Sequence, residues 1–433
     1  MTKEYEHPEF LRLIFSDLLG DLRSIEVGMD CLDDVLEHGV MIDGSSVPGF
    51  ASVNESDLLL LPSSTTPTHQ PWDPSAAFLH CRVHEISGKP HPRDPRNILD
   101  AIEFKASKMG FQLKIGSELE FFTIQKGSDD SVEPRDSGGY FSSRPSDPEL
   151  DFRRDIVRTL NAIGIQTTSH HHEVAQGQHE VGLQYAPASI AADNILLARQ
   201  IILEMAALRR IDVTFMPKPF SDQNGSGLHL HQSIWGFDGS RNLFSSKGNG
   251  GLSQLAANYI AGLLEHASSY IAFLAPTVNS YKRLVPGYEA PTRIAWGYRN
   301  RSTMVRIPHF NGSEKAARIE LRCPDTTISP HIGIAAVLAA GLDGIKRDLE
   351  PGKPITKNLY RDSADVASLP GSLKESLEHL GESHLMRSEL GDSAVDAFVG
   401  LRTREWNEYI ETIDDPLSSD ITSWELERYL RAN

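Results

Sequence analysis

The 433-residue sequence has few cysteines and a deficit of positive charge, and each shortage excludes a class of protein. Cys31, Cys81 and Cys323 are too few and too widely spaced for a disulfide framework or a CxxC zinc site. The net charge of −17 disfavours a nucleic-acid partner, because phosphate backbones are bound by clusters of Lys and Arg. The sequence therefore predicts neither a disulfide-stabilised secreted protein nor a nucleic-acid-binding protein.

Long apolar runs are also missing. The least interrupted one, residues 332–342, is too short to span a bilayer. The first ten residues lack the basic start and apolar core of a secretory signal. We therefore expect a cytoplasmic protein without membrane contact.

The distribution of apolar residues predicts an α+β fold in two domains, because the chain is too long for one simple core. Short strand-like runs dominate the N-terminal part, and a Pro-rich linker follows at 87–94. We place the boundary near residue 93, which gives domains 1–93 and 94–433. Beyond it, short strands alternate with helical segments that include 255–274 and 331–349.

Three strand-like segments of the second domain each carry two polar residues spaced i, i+2. The pairs are Glu118/Glu120 in GSELEFF, His229/His231 in SGLHLHQS and Glu320/Arg322 in RIELRC. Because side chains alternate across a pleat, each pair projects onto one face. A solvated strand shows the same alternation, but the phenylalanines directly after Glu120 favour burial. Two buried neighbouring carboxylates need a bridging cation.

Two further glutamates flank a glycine-containing bend in the histidine-rich stretch 169–183, SHHHEVAQGQHEVGL. A turn at this bend would return Glu180 to the side of Glu173. Three consecutive histidines on an extended strand cannot all face one ion, which disfavours zinc. We predict that five glutamates and one or two histidines converge on two or three Mg²⁺ or Mn²⁺ ions, because carboxylate-rich sets select these metals.

Arginines are dense between residues 279 and 308 and just after them. They are Arg283, Arg293, Arg299, Arg301, Arg306, Arg318 and Arg322. Singly, each is more often solvated or salt-bridged, but their density in a segment bent by proline and glycine favours phosphate binding. No GxxxxGK[ST] or GxGxxG motif occurs, so any nucleotide is held by another route. Arginines beside divalent ions predict phosphoryl transfer.

Taken together, the motifs resemble those of glutamine synthetases, in the same order along nearly the whole chain. They are DGSSVPGF, GSELEFF, HHEVAQGQHE, NGSGLHLHQS, NSYKRLVPGYEAP, RNRS and RIELRCPD. The resemblance implies a small N-terminal β-grasp domain and a large catalytic domain with a curved antiparallel sheet backed by helices. It also implies a homo-oligomer, a dodecamer of two stacked hexamers, with active sites between subunits.

The resemblance further implies roles for individual residues. One metal would be held by Glu120, Glu173 and Glu180, and the other by Glu118, His229 and Glu320. Asn224, Gly225, Arg283 and Arg322 would bind glutamate, whereas His231, Ser233, Lys315 and Arg318 would contact ATP, and Arg301 and Arg306 the transferred phosphate. The ammonium site would comprise Asp43 of the adjacent subunit, Ser46, Tyr140, Glu173 and Glu289, the last on a flap that excludes water. Asp43 also suits a simple turn.

The implied reaction is ATP-dependent ligation of ammonia to the γ-carboxylate of L-glutamate through γ-glutamyl phosphate, giving L-glutamine, ADP and phosphate. One alternative is a γ-glutamyl-amine ligase that uses methylamine, a polyamine or ethanolamine, because the C-terminal TSWELERYLRAN resembles such relatives. Retention of Asp43, Tyr140 and Glu289 favours ammonia. Another alternative is a non-catalytic structural or regulatory ring, which would be expected to have lost metal carboxylates.

One subclass of the family carries an adenylylated tyrosine at the position of Tyr360, in KNLYRDS. The compact chain lacks the extra segment of that subclass. We therefore expect Tyr360 to be an ordinary tyrosine near a helix end.

Overall fold

The computed structural model describes residues 7–431 except 129–130, 247–250, 311–312 and 363–364. Within these ranges, none of the helices combines the length and hydropathy that a bilayer crossing requires. Two sheets and a layer of helices make up this part of the chain, which confirms the predicted α+β class.

The N-terminal sheet has six strands in the order β2-β1-β6-β4-β3, with β5 paired to β6. Their bounds are β1 (Phe10–Ser16), β2 (Leu22–Gly28), β3 (Val40–Asp43), β4 (Asp57–Pro62), β5 (Thr68–His69) and β6 (Ala76–Glu85). The β1–β6 pair is parallel, whereas the other pairs are antiparallel. Helix α1 (Leu32–His38) leads into β3, which forms one edge of the sheet and ends at Asp43.

The second sheet has nine strands in the order β13-β14-β15-β12-β7-β10-β9, with β8 and β11 paired to β7. Their bounds are β7 (Phe111–Lys126), β8 (Val132–Pro134), β9 (Thr167–His172), β10 (Gln178–Pro187), β11 (Asp212–Thr214), β12 (Leu228–Gly236), β13 (Trp296–Tyr298), β14 (Val305–Ile307) and β15 (Ile319–Leu321). The pairing is antiparallel as predicted, except that β13 and β14 run parallel.

The described residues of this domain also form helices, some of which pack against the large sheet while others pack on helices. They are α2 (Pro95–Lys108), α3 (Leu150–Ala162), α4 (Ala188–Arg209), α5 (Gln254–Glu265), α6 (Ala267–Leu274), α7 (Ser280–Arg283), α8 (Pro330–Lys346), α9 (Leu373–Glu382), α10 (His384–Leu390), α11 (Asp392–Thr412) and α12 (Ser423–Tyr429). Residues 255–274, predicted as one helix, form two, because the chain bends at His266. His266 Nε2 lies 2.7 Å from Asp343 Oδ2 of α8, a bond that fixes the bend.

Helices α5 and α8 cross with their backbones in contact. A Cβ added at Gly262 would lie 2.1 Å from the carbonyl oxygen of Ala340, and one added at Gly344 would lie 2.2 Å from that of Asn258. Only glycine permits this approach, because backbone atoms cannot move aside as a flexible side chain can. The crossing helps to keep α8 buried along almost its whole length.

We expect Gly262→Ala to lower the free energy of unfolding by about 1–3 kcal/mol, because the added methyl overpacks the helix crossing. Gly400→Ala is the matched control. Gly400 lies within α11, and nothing surrounds its Cβ position within 4 Å, so the change should be neutral or stabilise by up to about 1 kcal/mol. Thermal and urea unfolding of both variants would measure the difference. Equal stability of the two variants would contradict the close crossing.

Candidate functional site

Strand pairing places the predicted polar residues side by side on one face of the large sheet. His229 is opposite Glu118, and Glu180 is opposite Glu120. Leu119, Leu230 and Leu321 are fully buried, as expected for the other face of the same strands. One face of the sheet therefore packs on helices, while the other carries charge.

The polar face lines a cavity of about 490 Å³. Most of the predicted site residues surround it, namely Glu118, Glu120, Tyr140, Glu173, Glu180, Asn224, Gly225, His229, His231, Arg283, Glu289, Arg301, Arg306, Arg318, Glu320 and Arg322. These residues come from strands β7, β10, β12, β14 and β15 and from segments that lie between or directly after strands. This is the convergence that the sequence predicts from separate segments.

Four predicted residues do not line the cavity. Asp43 and Ser46 lie at the end of β3 in the N-terminal sheet, where Ser46 Oγ donates to Asp43 Oδ2 at 2.8 Å. Hydrogen bonds from Ser45 and then Ser46 lower the pKa of the Asp43 carboxyl. Ser233 accepts a bond from the indole N–H of Trp235 at 2.9 Å, and Lys315 lies in a short 3₁₀ turn.

The acidic end of the cavity contains two groups of residues that could each hold a metal ion. One comprises Glu118, Glu180 and His229, and the other His171, Glu173 and Glu180, with ligand atoms within 4.8 Å of one another in each group. Burial and the charge of Glu180 raise the pKa of Glu173 to about 7. Such mutual repulsion is relieved when a divalent cation binds. Oxygen-rich donors with few nitrogens fit Mg²⁺ or Mn²⁺.

Glu120 is a buried carboxylate of this end. Its pKa is raised by burial and by the charges of Glu173 and Glu180. Its Oε2 accepts from the main-chain N–H of Gly227 at 2.7 Å and from the side chain of Gln178 at 3.3 Å. These two donors orient the carboxylate, which leaves Oε1 for a cation.

Of the three consecutive histidines, His171 lines the cavity. Its Nε2 lies 3.1 Å from Glu180 and its Nδ1 3.7 Å from Glu173. His172 instead is fully buried, and its Nε2 lies 2.7 Å from Asp136 Oδ1. The alternation agrees with the expectation that the three cannot face one ion. His171 was not predicted from the sequence as a lining residue, because the strand that pairs with β9 could not be known from the sequence alone.

Histidines also flank Glu118. His231 Nε2 lies 2.9 Å from Glu118 Oε1, and His229 Nδ1 lies 3.1 Å from Oε2. Although burial opposes it, these bonds lower the pKa of the Glu118 carboxyl. Arg318 Nε donates to the other ring nitrogen of His231 at 3.3 Å. The Glu118 carboxylate is therefore oriented and charged.

The basic end of the cavity adjoins these residues, because Glu320 Oε1 lies 3.8 Å from His229 Nδ1. Glu320 accepts from Arg306 and, at 2.5 Å, from Arg322. Although burial raises it, the charges of Arg322, the two histidines and Arg306 bring the pKa of Glu320 down to about 2. Arg283 is buried and donates to the carbonyl oxygens of Cys323 and Arg322 at 3.0 and 3.1 Å. Three guanidinium groups thus converge where an anion could bind.

A loop with strained backbone closes one side of the cavity. Glu289 has a φ of 60°, and its carbonyl accepts from Arg322 Nη2 at 3.3 Å. The rings of Tyr140 and Phe141, which also line the cavity, stack with centroids 3.9 Å apart. Positive φ at a non-glycine residue persists only where surrounding contacts hold it.

Several lining residues were not predicted from the sequence, and two expectations need correction. The unpredicted residues are Phe141, Ser169, His171, Gln178, Tyr288, Ala290, Pro308 and His309. Tyr360 lies in a turn, not near a helix end, and its hydroxyl donates to the carbonyl of Arg301 at 2.8 Å. Arg293 points away to Ser368 Oγ, at 2.6 Å. The i, i+2 spacing could have identified Gln178 as a lining residue, because it lies two residues before Glu180 on β10.

Comparisons with known proteins agree with this geometry. The family model "Glutamine synthetase, beta-Grasp domain" matches residues 7–86, and "Glutamine synthetase, catalytic domain" matches residues 92–429. The chain is 40% identical to a glutamine synthetase of Pyrococcus abyssi and 39% identical to one of Methanococcus maripaludis, in each case over 98% of this chain and 96% of the relative.

Solved structures show the same likeness. The structure described as "GmaS/ADP complex-Conformation 1" has a TM-score of 0.87 and 32% identity, over 99% of this chain and 98% of that one. "Apo GmaS without ligand" has a TM-score of 0.85 and 33% identity, over 98% and 97%. Matches of this breadth in sequence and structure show that the chain belongs to the glutamine synthetase family of ligases.

Proposed function

We propose that this protein ligates ammonia to the γ-carboxylate of L-glutamate at the cost of ATP, through γ-glutamyl phosphate. The observation that carries the proposal is one cavity with an acidic end that suits divalent cations and a basic end that suits anions. Phosphoryl transfer to a carboxylate needs both, because the donor and the acceptor are negatively charged. Glutamine, ADP and phosphate are the products.

ATP and Mg²⁺ or Mn²⁺ are the cofactors of the family, and the cavity fits them. Glu118, Glu120, Glu173, Glu180 and His229 would hold two or three ions, with Glu320 able to join them. When bound, such ions neutralise the phosphate oxygens and the repelling carboxylates. The chain's own role is to hold these ligands in place, most of them on adjacent strands, where hydrogen bonds from Gln178 and Gly227 orient Glu120.

The basic end would bind glutamate and the transferred phosphate. Arg283 and Arg322 are held by main-chain carbonyls, so their guanidinium groups are oriented before substrate arrives. Asn224 and Gly225 line the same wall. Arg301 and Arg306 would stabilise charge on the phosphoryl group as it moves, and His231, Ser233, Lys315 and Arg318 would contact the nucleotide.

The amine site would be completed by a second copy of the chain. Ammonia is mostly protonated at neutral pH, so a carboxylate must bind ammonium and help to remove its proton. Asp43 and Ser46 do not line the cavity of their own chain. We propose that they serve the neighbouring subunit in a hexamer or in a dodecamer of stacked hexamers, beside Tyr140, Glu173 and Glu289.

We also propose that the two domains meet near residue 93.

A second candidate function is ligation of an alkylamine instead of ammonia. Phe141 is 63% exposed at the mouth of the cavity and stacks on Tyr140, which offers an apolar surface to an alkyl group. The C-terminal segment resembles that of amine-ligating relatives. A non-catalytic ring is disfavoured, because all five predicted metal carboxylates line the cavity.

An amine panel tests the proposed reaction. With ATP, glutamate and Mg²⁺, we expect ammonium to give a higher kcat/KM than methylamine, ethanolamine or a polyamine, because Tyr140 and the carboxylates suit a small cation. Amide product and ADP would be measured together. A preference for methylamine would establish the alternative function. Absence of turnover with every amine, with metal bound, would establish the non-catalytic ring.

Glu180 belongs to both candidate metal groups. We therefore expect its charge to lower the stability of the metal-free protein and to strengthen metal binding. We expect Glu180→Gln to raise the thermal midpoint of the metal-free protein, because a repelling carboxylate is removed. The same change should weaken Mn²⁺ binding by more than about tenfold, a loss that even outer-sphere partners can cause. Calorimetry of unfolding and of Mn²⁺ titration measures both. Glu37→Gln, on the exposed helix α1, should change neither.

Subunit mixing tests the placement of Asp43. We expect Asp43→Asn and Glu180→Gln to be inactive alone and partly active when co-expressed. Activity returns because an intact Asp43 from one subunit meets an intact metal site of its neighbour. Co-expression of two tagged copies of Glu180→Gln is the control. If the mixed oligomer is as inactive as the separate variants, Asp43 does not act across subunits.

A further inference from the structure

Lys218 is a buried lysine next to the cavity. It lies between Pro217 and Pro219 in the segment that joins β11 to β12, and it is 1% exposed. The flanking prolines restrict the backbone. Its main-chain N–H donates to Asn279 Oδ1 at 2.6 Å, and Asn279 Nδ2 donates back to its carbonyl at 3.0 Å. The base of the side chain is therefore fixed from both sides.

The ammonium of Lys218 joins two segments that line the cavity. Nζ lies 3.4 Å from the centroid of the Tyr288 ring and donates to the main-chain carbonyl of Gln223. Tyr288 directly precedes Glu289, the residue with positive φ. Gln223 directly precedes Asn224 in the wall of the cavity. A cation on an aromatic face is held most strongly where water is excluded.

Gln223, which accepts from Lys218, also contacts a third segment of the chain, the turn that contains Gln176. The side-chain oxygen of Gln223 accepts from the main-chain N–H of Gln176 at 2.8 Å. Gln176 lies in the turn between Glu173 and Glu180 of the acidic end. Lys218 is thus placed where the acidic turn, the 223–225 wall and the 288–289 loop meet. Burial lowers its pKa to about 8, which keeps it mostly charged at neutral pH.

Asn279 connects the backbone of Lys218 to helix α12. Its Nδ2 also donates to Glu425 Oε1 of α12 at 2.9 Å, and Glu425 Oε2 lies 3.0 Å from Lys282 Nζ. Glu425 is fully buried and caps α12 together with Thr422. The 288–289 loop is consequently tied, through Lys218, to the helical layer.

We propose that Lys218 is a positioning residue that ties the 288–289 loop to the 223–225 wall and so keeps water from γ-glutamyl phosphate. This inference deepens the proposed function and rests on it. When the tie is lost, the oxygen of water bonds to the acyl carbon and the bond from that carbon to the phosphate oxygen breaks. Glutamate and phosphate leave, one proton of water passes to the leaving phosphate and the other to solvent, and ATP is consumed without amide formation.

The first readout is the ratio of ADP to amide formed. We expect about one ADP per amide in the unchanged protein, because the closed loop excludes water. In Lys218→Met the ratio should rise severalfold, with a smaller change in the KM for glutamate. Lys218→Arg keeps a cation over the Tyr288 ring and should return the ratio toward one. Lys374→Met, an exposed lysine of α9, is the matched control and should leave the ratio unchanged.

The second readout does not need activity. We expect amide hydrogen exchange in residues 285–290 of the free protein to increase by about tenfold or more in Lys218→Met, since a desolvated cation–π contact is lost. Lys218→Arg should exchange almost as the unchanged protein does. If Lys218→Met leaves both the exchange and the ratio unaltered, the proposal is wrong. A global rise in exchange across both sheets, without rescue by arginine, would show a merely structural lysine and also overturn it.

The two readouts separate this inference from the proposed function. If the unchanged protein forms no amide from any amine, the proposed function fails, while local exchange at 285–290 still decides whether Lys218 holds the loop. If Lys218→Met does not fold, Tyr288→Leu removes the other half of the contact. Increased exchange at 285–290 in that variant supports the tie, and unchanged exchange refutes it.

Discussion

Repulsion between buried carboxylates is the constraint around which this structure is organised. Glu120 and Glu180 are paired on neighbouring strands whose register is fixed by ladder hydrogen bonds, and Glu173 lies directly after β9, so the three carboxylates share one small volume. Behind them the sheet packs on helices through fully buried leucines, which keeps the local dielectric low. The fold therefore holds these charges at a cost in stability, and cations are the means by which that cost is offset.

The pKa of a glutamate is raised at the acidic end of the cavity and lowered at the basic end. Glu173, beside another carboxylate, has its pKa raised to about 7 by burial and repulsion, whereas Glu320, beside two arginines, has its pKa lowered to about 2. This separation divides the cavity into a place for cations and a place for anions. A cation that drew Glu320 away from Arg306 and Arg322 would release both guanidinium groups for an anionic substrate. Metal and substrate binding would then be coupled through one carboxylate.

The sequence predicts which residues share a face, but not which strands are neighbours. Alternation is local, so Glu118/Glu120 and His229/His231 could be assigned to a polar face from spacing alone. Register depends on contacts between distant segments, so neither the place of His171 opposite Glu180 nor the parallel β13–β14 pair could be derived. The bend at His266 was missed for the same reason, since its partner Asp343 lies on another helix.

Arg283 shows how the basic end complements the acidic one. Its guanidinium donates to the carbonyl oxygens of Cys323 and Arg322, which orient the group without cancelling its charge. Burial lowers its pKa, so the fold holds a positive charge in a poorly solvated place, just as it holds negative charges around Glu120. A bound carboxylate would add its charge to those of Glu120 and Asp325 near Arg283, in a geometry that is already set. Ligands of both kinds would therefore stabilise the cavity, and this gain would oppose the entropy lost when substrates are ordered.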